Sequence, residues 1–151
     1  MKPVINEIEL VVHCHATENC NKVLKALLNV LPPTIREQVK PFTVEYQGHY
    51  GNIIRVMTLK LVGKDAEDTI RYIGEQIEET DRSIINVTFD LRYDRRSNRF
   101  YLRLDKQAAY KGRLVISDGD DIIKVIISFK GPRRIDSVRD LLREYGMVKP
   151  S

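Results

Sequence analysis

Residues 4–16 of this 151-residue chain read VINEIELVVHCHA, and this stretch predicts a long β-strand. Every second position from Ile8 to Ala16 is apolar, and the positions between them include Glu7 and Glu9. A period of two is typical of a strand with one buried and one exposed face. The chain is therefore expected to begin with a half-buried strand.

The spacing of apolar residues changes immediately after this strand. Within residues 17–31, Val23, Leu27 and Leu31 recur at the spacing of an α-helix. Thr17 is placed to cap this helix, and the prolines at 32–33 end it.

The remaining patterns mix strands and helices without a regular strand–helix–strand rhythm. Alternating apolar residues predict strands at 42–46, 53–62, 100–104, 113–116 and 122–129. Helical spacing predicts two further helices, capped by Asp65 and Asp136. We therefore predict a single α+β domain at residues 1–147, followed by a frayed tail at 148–151. Its sheet is expected to be mixed and largely antiparallel, with about three helices packed on one face.

Residues 81–93 fit two structures. Every second residue from Ile85 to Tyr93 is apolar, which favours a strand. Asp81 could instead cap a helix with Ile84, Val87 and Leu91 on one side. The alternation taken alone favours the strand.

Composition excludes several classes of protein. A hydrophobic fraction of 42% is too high for an intrinsically disordered chain. No apolar run reaches the roughly 18 residues of a membrane helix, and Glu7 comes too early for a signal peptide. We therefore expect a cytoplasmic protein with no membrane partner.

The net charge of +4 is unevenly distributed along the chain. Residues 1–80 have 9 basic and 11 acidic side chains, whereas residues 81–151 have 16 and 10. Eleven of those 16 are arginines, whose planar guanidinium groups suit phosphate. This distribution favours an acidic partner such as a nucleic acid.

The densest cationic stretch is residues 92–113, with eight basic side chains against Asp94 and Asp105. Aromatic residues are interleaved with them: Tyr93, Phe100, Tyr101 and Tyr110. Arginines can hold phosphates while exposed aromatic rings stack on unpaired bases. We assign phosphate contacts to Arg95, Arg96, Arg99 and Arg103, and stacking to Tyr101, Tyr110 and Tyr50. The alternative is an ordinary solvated turn beside a sheet that has one solvent-exposed face.

Two further groups could extend this surface. Lys130 and the arginines at 133–134 form a second basic cluster. His49 and Tyr50 lie between Gly48 and Gly51, which either present the two rings at a loop tip or serve only turn geometry.

The sequence gives little support for a metal site or a catalytic site. Cys14 and Cys20 are interpreted as reduced thiols, and with His13 and His15 they lack the spacing of a tetrahedral zinc site. Catalytic motifs such as GxSxG, HExxH, GxGxxG and the phosphate-binding loop do not occur. We predict no enzyme activity, no metal and no cofactor.

Three segments carry a resemblance to a known family. They are HATE at 15–18, GHYGN at 48–52 and FYLRLDKQAAYKG at 100–112. Their order and spacing resemble an archaeal family of predicted RNA-binding proteins, proposed as accessory subunits of the RNA-degrading exosome. The resemblance implies a fold similar to that of a large-subunit ribosomal protein that grips ribosomal RNA. It also implies RNA contact without catalysis, and a helix at 81–91.

By position, the resemblance marks His15, His49, Tyr50, Arg103, Lys106, Gln107 and Tyr110 as candidates for RNA contact. The predicted RNA-binding set as a whole adds Arg95, Arg96, Arg99, Tyr101, Lys111, Arg113, Arg133 and Arg134. The leading hypothesis is an RNA-binding adaptor, with exosome subunits as possible partners. The alternatives are a protein–protein interaction module or homodimer, and an enzyme acting on small phosphorylated substrates.

Overall fold

The computed structural model describes residues 1–150 as one antiparallel sheet with helices against it. The strands are β1 (Val4–Cys14), β2 (Phe42–Gln47), β3 (Ile53–Val62), β4 (Tyr93–Asp94), β5 (Arg99–Asp105) and β6 (Ile122–Lys130). The helices are α1 (Cys20–Leu28), α2 (Gly63–Gln76), α3 (Glu79–Val87), α4 (Phe89–Arg92), α5 (Lys106–Tyr110) and α6 (Ile135–Glu144). The strand order is β2-β3-β1-β6-β5-β4, and every neighbouring pair is antiparallel. The predicted α+β class is confirmed.

The core lies between one face of the sheet and the helices. In the central strand β1, the alternating residues Ile8, Leu10 and Val12 are buried, as the period of two predicts. They share one core with the buried helical residues, among them Leu27, Ile70, Ile85, Phe89, Val138 and Leu142. The other side of the sheet, called here the open face, carries the side chains that alternate with the core residues. No helix within residues 1–150 is long and apolar enough to cross a membrane.

Residues 79–92 form the helices α3 and α4, separated by a turn at Thr88, so the helical structure implied by the family resemblance is confirmed and the strand favoured by alternation is wrong. The physical reason is that only part of the alternating set enters the core. Ile85 and Phe89, four residues apart on the same side of the helices, are fully buried. Val87 and Leu91 lie outside, with 79% and 88% of their surfaces exposed. Together with the short α5, this segment raises the number of helices above the three expected.

Three predicted helix caps differ from the observed ones. Asn19, not Thr17, caps α1, and its side-chain oxygen accepts a hydrogen bond from the Asn21 N–H. The reason is a turn after β1, in which the Glu18 N–H donates to the His15 carbonyl. Asp65 and Asp136 lie in the first turns of α2 and α6 rather than before them, so their charges favour these helices through the dipole.

Two predicted boundaries also differ. Residues 113–116 pair with β5 only through a bridge between Ile116 and Leu104. Of the tail predicted to fray at 148–151, Val148 is buried and the Lys149 N–H donates to the Arg82 carbonyl. Ser151 lies outside the described residues.

Cys14 and Cys20 form a disulfide, which corrects the expectation of reduced thiols. The turn at 15–18 returns the chain so that the first residue of α1 lies beside the last residue of β1. The two Cα atoms are 5.7 Å apart, a separation that a disulfide spans. The bond fixes the loop that carries His15 and Glu18.

Candidate nucleic-acid interface

The turn between β4 and β5, residues 94–99, is rigid and is called here the arginine turn. The Asp94 carboxylate accepts hydrogen bonds from the Ser97 hydroxyl at 2.8 Å and the Arg96 N–H at 3.1 Å. The hydrogen bond from Ser97 is the largest cause of a lowered pKa at Asp94, and the bond from Arg96 adds to it. Asn98 has a φ of 56° and is buried, and it accepts a bond from the Tyr93 hydroxyl at 2.7 Å. The side chains of Arg95, Arg96 and Arg99 are exposed on this frame.

The second basic cluster meets the arginine turn. Arg133 Nη1 donates to the Arg96 carbonyl oxygen at 2.7 Å, across 37 positions of sequence. Arg133 and Arg134 are both exposed. Two groups that are separate in the sequence therefore form one basic surface at this corner of the sheet.

The basic surface continues along β5 on the open face. Tyr101 and Arg103 alternate with Phe100, Leu102 and Leu104, which are fully buried, so the predicted division of this strand into two faces is confirmed. Register places Arg103 opposite Lys124 of β6. The Lys124 Nζ lies 5.5 Å from the centroid of the Tyr101 ring. Arg103 also donates to the Gly119 carbonyl, which holds its guanidinium over the loop before β6.

Lys106 has a different role from its cationic neighbours, because its side chain is buried. Its Nζ lies 2.9 Å from a carboxylate oxygen of Glu18, 2.7 Å from one of Asp121 and 3.0 Å from the His13 carbonyl. An ammonium group has three donors, so these partners use all of them. Lys106 therefore fastens α5 to the loop after β1 and to the start of β6. It has no N–H left for RNA.

Gln107 is tied to the same network. Its Nε2 donates to Asp121 at 2.9 Å. Partial burial raises the pKa of Asp121, but the hydrogen bonds from Lys106 and Gln107 outweigh it and leave the pKa below its ordinary value. Asp121 is therefore held as the charged partner of Lys106.

A cleft of about 350 Å³ lies between α1 and α5. Tyr110 lines it, and the Nζ atoms of Lys22 and Lys25 lie 5.8 and 5.2 Å from the centre of the Tyr110 ring. The exposed Lys111 also lines the cleft, whereas the exposed Arg113 follows α5. Sequence reasoning missed Lys22 and Lys25. The available signal was a pair of cations three positions apart in the predicted helix, which places them on one side of it.

A second cleft, of about 170 Å³, brings His15 and His49 together with Thr17, Gly48 and Asn52. The ring of Tyr50 meets His49 edge-on, with centroids 5.0 Å apart, and 87% of the Tyr50 surface is exposed. Nearby, burial is the largest cause of a lowered pKa at His13, followed by the charges of His15 and Lys106. The three segments that carry the family resemblance therefore meet: Glu18 pairs with Lys106, and His15 shares a cleft with His49.

A family model described as RNA binding matches residues 7–129. The chain belongs to this RNA-binding family. The matched residues include the arginine turn, the open face of β5 and both clefts, and they end before Arg133.

Three relatives of this RNA-binding family member are archaeal. An RNA-binding protein of Pyrococcus abyssi is 31% identical over 134 residues, which cover 87% of this chain and 86% of that protein. An uncharacterized protein of Methanocaldococcus jannaschii is 37% identical over 128 residues, with 84% and 86% covered. A crystal structure from Sulfolobus solfataricus has a TM-score of 0.74 and 32% identity, and covers 92% of this chain and 98% of that one.

Proposed function

We propose that this protein is a non-catalytic, cytoplasmic RNA-binding protein whose main contact surface is the arginine turn and the adjoining open face of β5. Membership of an RNA-binding family supports the choice of ligand. The observation that carries the choice of surface is the contact of Arg133 with Arg96, which unites the two basic clusters. Guanidinium groups on a rigid turn can hold successive phosphates, and the Tyr101 ring lies next to them for an unpaired base.

We further propose that the protein acts as an adaptor or accessory subunit in exosome-linked RNA processing or decay. This part comes from the resemblance carried by residues 15–18, 48–52 and 100–112, as does the likeness to a ribosomal protein that grips RNA. Recovery of exosome subunits with the tagged protein, in amounts that survive nuclease treatment, is the expected result. Recovery that disappears with the RNA would contradict a subunit role.

Replacing Arg95, Arg96 and Arg99 together by glutamine is expected to flatten the salt dependence of RNA binding. Each contact with a phosphate of a single strand contributes about 0.7 to the slope of log affinity against log salt, so three lost contacts lower the slope by about 2. Filter binding of a single-stranded RNA of about 12 nucleotides, a length within the usual range of single-strand sites, measures the slope.

The matched control replaces Lys40, Lys64 and Arg71 by glutamine. These exposed cations lie before β2 or in α2, which packs on β1 and β3 and not on β5. Both triple variants lose the same charge, so a general field effect would change both slopes equally. We expect only the arginine variant to show a smaller salt slope than the wild type. Equal slopes for the two variants would contradict the arginine turn as the contact surface.

One observation favours the alternative, a protein–protein module or homodimer. Edge strand β2 leaves Phe42, Val44 and Tyr46 on the open face with 71%, 44% and 46% of their surfaces exposed. β2 pairs only with β3 in the sheet, so its outer edge offers free backbone groups to another strand. Two copies paired about Val44 would place Phe42 opposite the Tyr46 of the other copy, with no like charges opposed.

Val44→Lys separates the two functions. β2 and β5 are four positions apart in the sheet, so the substitution is expected to change RNA affinity by less than about twofold. Light scattering of both proteins and filter binding at about 50 mM salt, where electrostatic binding is strong, provide the measurements. A wild-type dimer that retains no RNA and that Val44→Lys dissociates would establish the alternative.

A further inference from the structure

We propose that the cleft between α1 and α5 binds one unpaired nucleotide of the RNA, with the base against Tyr110 and the phosphate among Lys22, Lys25 and Lys111. The proposal deepens the proposed function and rests on it. It assigns a second RNA contact at the end of β5 opposite the arginine turn.

The walls of the cleft are held in place before any ligand arrives. Asn29 Nδ2 donates to the carbonyl of Ala109 at 2.8 Å and to that of Tyr110 at 3.3 Å, which fixes the end of α5 against α1. The buried Lys106 fastens the start of α5 through Glu18 and Asp121. A preformed wall reduces the ordering that binding would otherwise require.

The charges that line the cleft favour an anion. Its lining includes Lys22, Lys106 and Lys111 against the single carboxylate of Glu18, a sum of +2. That carboxylate is already paired with Lys106. Within residues 1–150, Lys22 and Lys111 have no carboxylate within 4.0 Å, and neither has Lys25. A phosphate would therefore displace no ion pair at these three ammonium groups, although those of Lys22 and Lys25 already lie near the Tyr110 ring.

The aromatic ring and the amides distinguish a nucleotide from a bare anion. Tyr110 is half-buried, so part of its ring faces the cleft, where a base could stack. Gln107 uses its N–H on Asp121 and keeps its side-chain oxygen as an acceptor, while Asn19 uses its oxygen as the α1 cap and keeps its amide donors. A volume of about 350 Å³ also suits a small organic ligand better than a phosphate ion.

The cleft and the arginine turn are too far apart for one small ligand. β5 has 7 residues, so its two ends are separated by about 20 Å. A mononucleotide can occupy only the cleft, whereas a longer single strand can reach both. This difference allows the two proposals to be tested independently.

Adenosine 5′-monophosphate and inorganic phosphate are the probes. Titration of the isotope-labelled protein, followed by NMR, is expected to show saturable shifts at Lys22, Tyr110 and Lys111 with the nucleotide. Phosphate should bind the same place at least tenfold more weakly, because it gains no stacking. Tyr110→Leu is expected to weaken the nucleotide about tenfold and to leave phosphate unchanged.

A second variant tests the cleft independently, in case Tyr110→Leu disturbs the fold. Lys22→Gln with Lys25→Gln changes two exposed side chains and is expected to weaken both probes and to lower the salt slope for the 12-nucleotide RNA by about 1.4. The control pair, Lys40→Gln with Lys64→Gln, should leave all three ligands unchanged. The glutamine variant of Arg95, Arg96 and Arg99 should lose RNA affinity while retaining the nucleotide.

Each result bears on one proposal or the other. Equal affinity for phosphate and nucleotide, or a nucleotide affinity that Tyr110→Leu leaves intact, overturns the nucleotide assignment. RNA that binds at the arginine turn without shifts in the cleft overturns this inference and leaves the proposed function standing. A nucleotide that binds while RNA does not overturns the proposed function and, with it, the RNA role of the cleft.

Discussion

Gly74→Ala is expected to destabilise the protein by about 2–3 kcal/mol, although alanine normally favours a helix by about 1 kcal/mol. Gly74 lies in α2 at its closest approach to the end of α6. A Cβ atom there would overlap the Tyr145 carbonyl oxygen and lie 2.9 Å from the Gly146 carbonyl carbon. Both are backbone atoms, so no side-chain rotation relieves the contact.

The neighbouring hydrogen bonds make this contact harder to relieve. The Arg82 guanidinium donates to the Gly74 carbonyl at 2.7 Å and to the Gly146 carbonyl at 2.8 Å. Separating α2 from α6 to admit a methyl group would weaken this bridge. The clash is therefore expected to exceed the gain in helix propensity.

Urea unfolding of the wild type and of Gly74→Ala measures the difference. Gly119→Ala is the control, because the nearest atom to its Cβ is the Ser117 hydroxyl oxygen at 3.4 Å and its φ is not positive. The control should stay within about 0.5 kcal/mol of the wild type. A Gly74→Ala protein as stable as the wild type would contradict the close packing of α2 on α6.

The parts of the fold that sequence reasoning predicted are those in which a simple period coincides with burial. The bounds of β3 agree with the predicted 53–62, and β5 divides into a core face and an open face as predicted. In both strands one side meets the core and the other meets solvent, so the period of two is visible in the residues themselves.

The period of two misleads in residues 85–93. Val87 and Leu91 are exposed apolar residues of helices, and they complete an alternating pattern that the core does not use. The residues that are buried instead are Ile85 and Phe89, which are four positions apart as on one side of a helix. The sequence alone does not distinguish an apolar residue that is buried from one that is exposed.

The candidate site was predictable at the arginine turn and much less so at the cleft. A turn presents neighbouring residues together, so the local density of charge indicated Arg95, Arg96 and Arg99 as a group. The cleft depends on contacts between α1 and α5, about 80 positions apart, as in the bond from Asn29 to Ala109. Charge counting therefore passed over Lys22 and Lys25 in the half of the chain with net negative charge.

Lys106→Met is expected to lower the free energy of unfolding by about 2–3 kcal/mol while leaving the salt dependence of RNA binding unchanged. Methionine keeps most of the buried stem but removes the partner of Glu18, Asp121 and the His13 carbonyl. The loss is smaller than the roughly 3–5 kcal/mol of a fully buried pair, because the two carboxylates are 23% and 49% exposed.

Lys111→Met is the matched control for this prediction, since Lys111 lies five positions later and is exposed. It should keep its stability within about 0.5 kcal/mol and lower the salt slope by about 0.7. Urea unfolding and filter binding of both variants are the measurements. A Lys106→Met protein that remains as stable as the wild type but loses salt slope would show that Lys106 leaves its carboxylates for RNA. The opposite result would show that a cation within the family segment 100–112 serves to hold α5 in place, and that the phosphate contacts belong to the exposed residues around it.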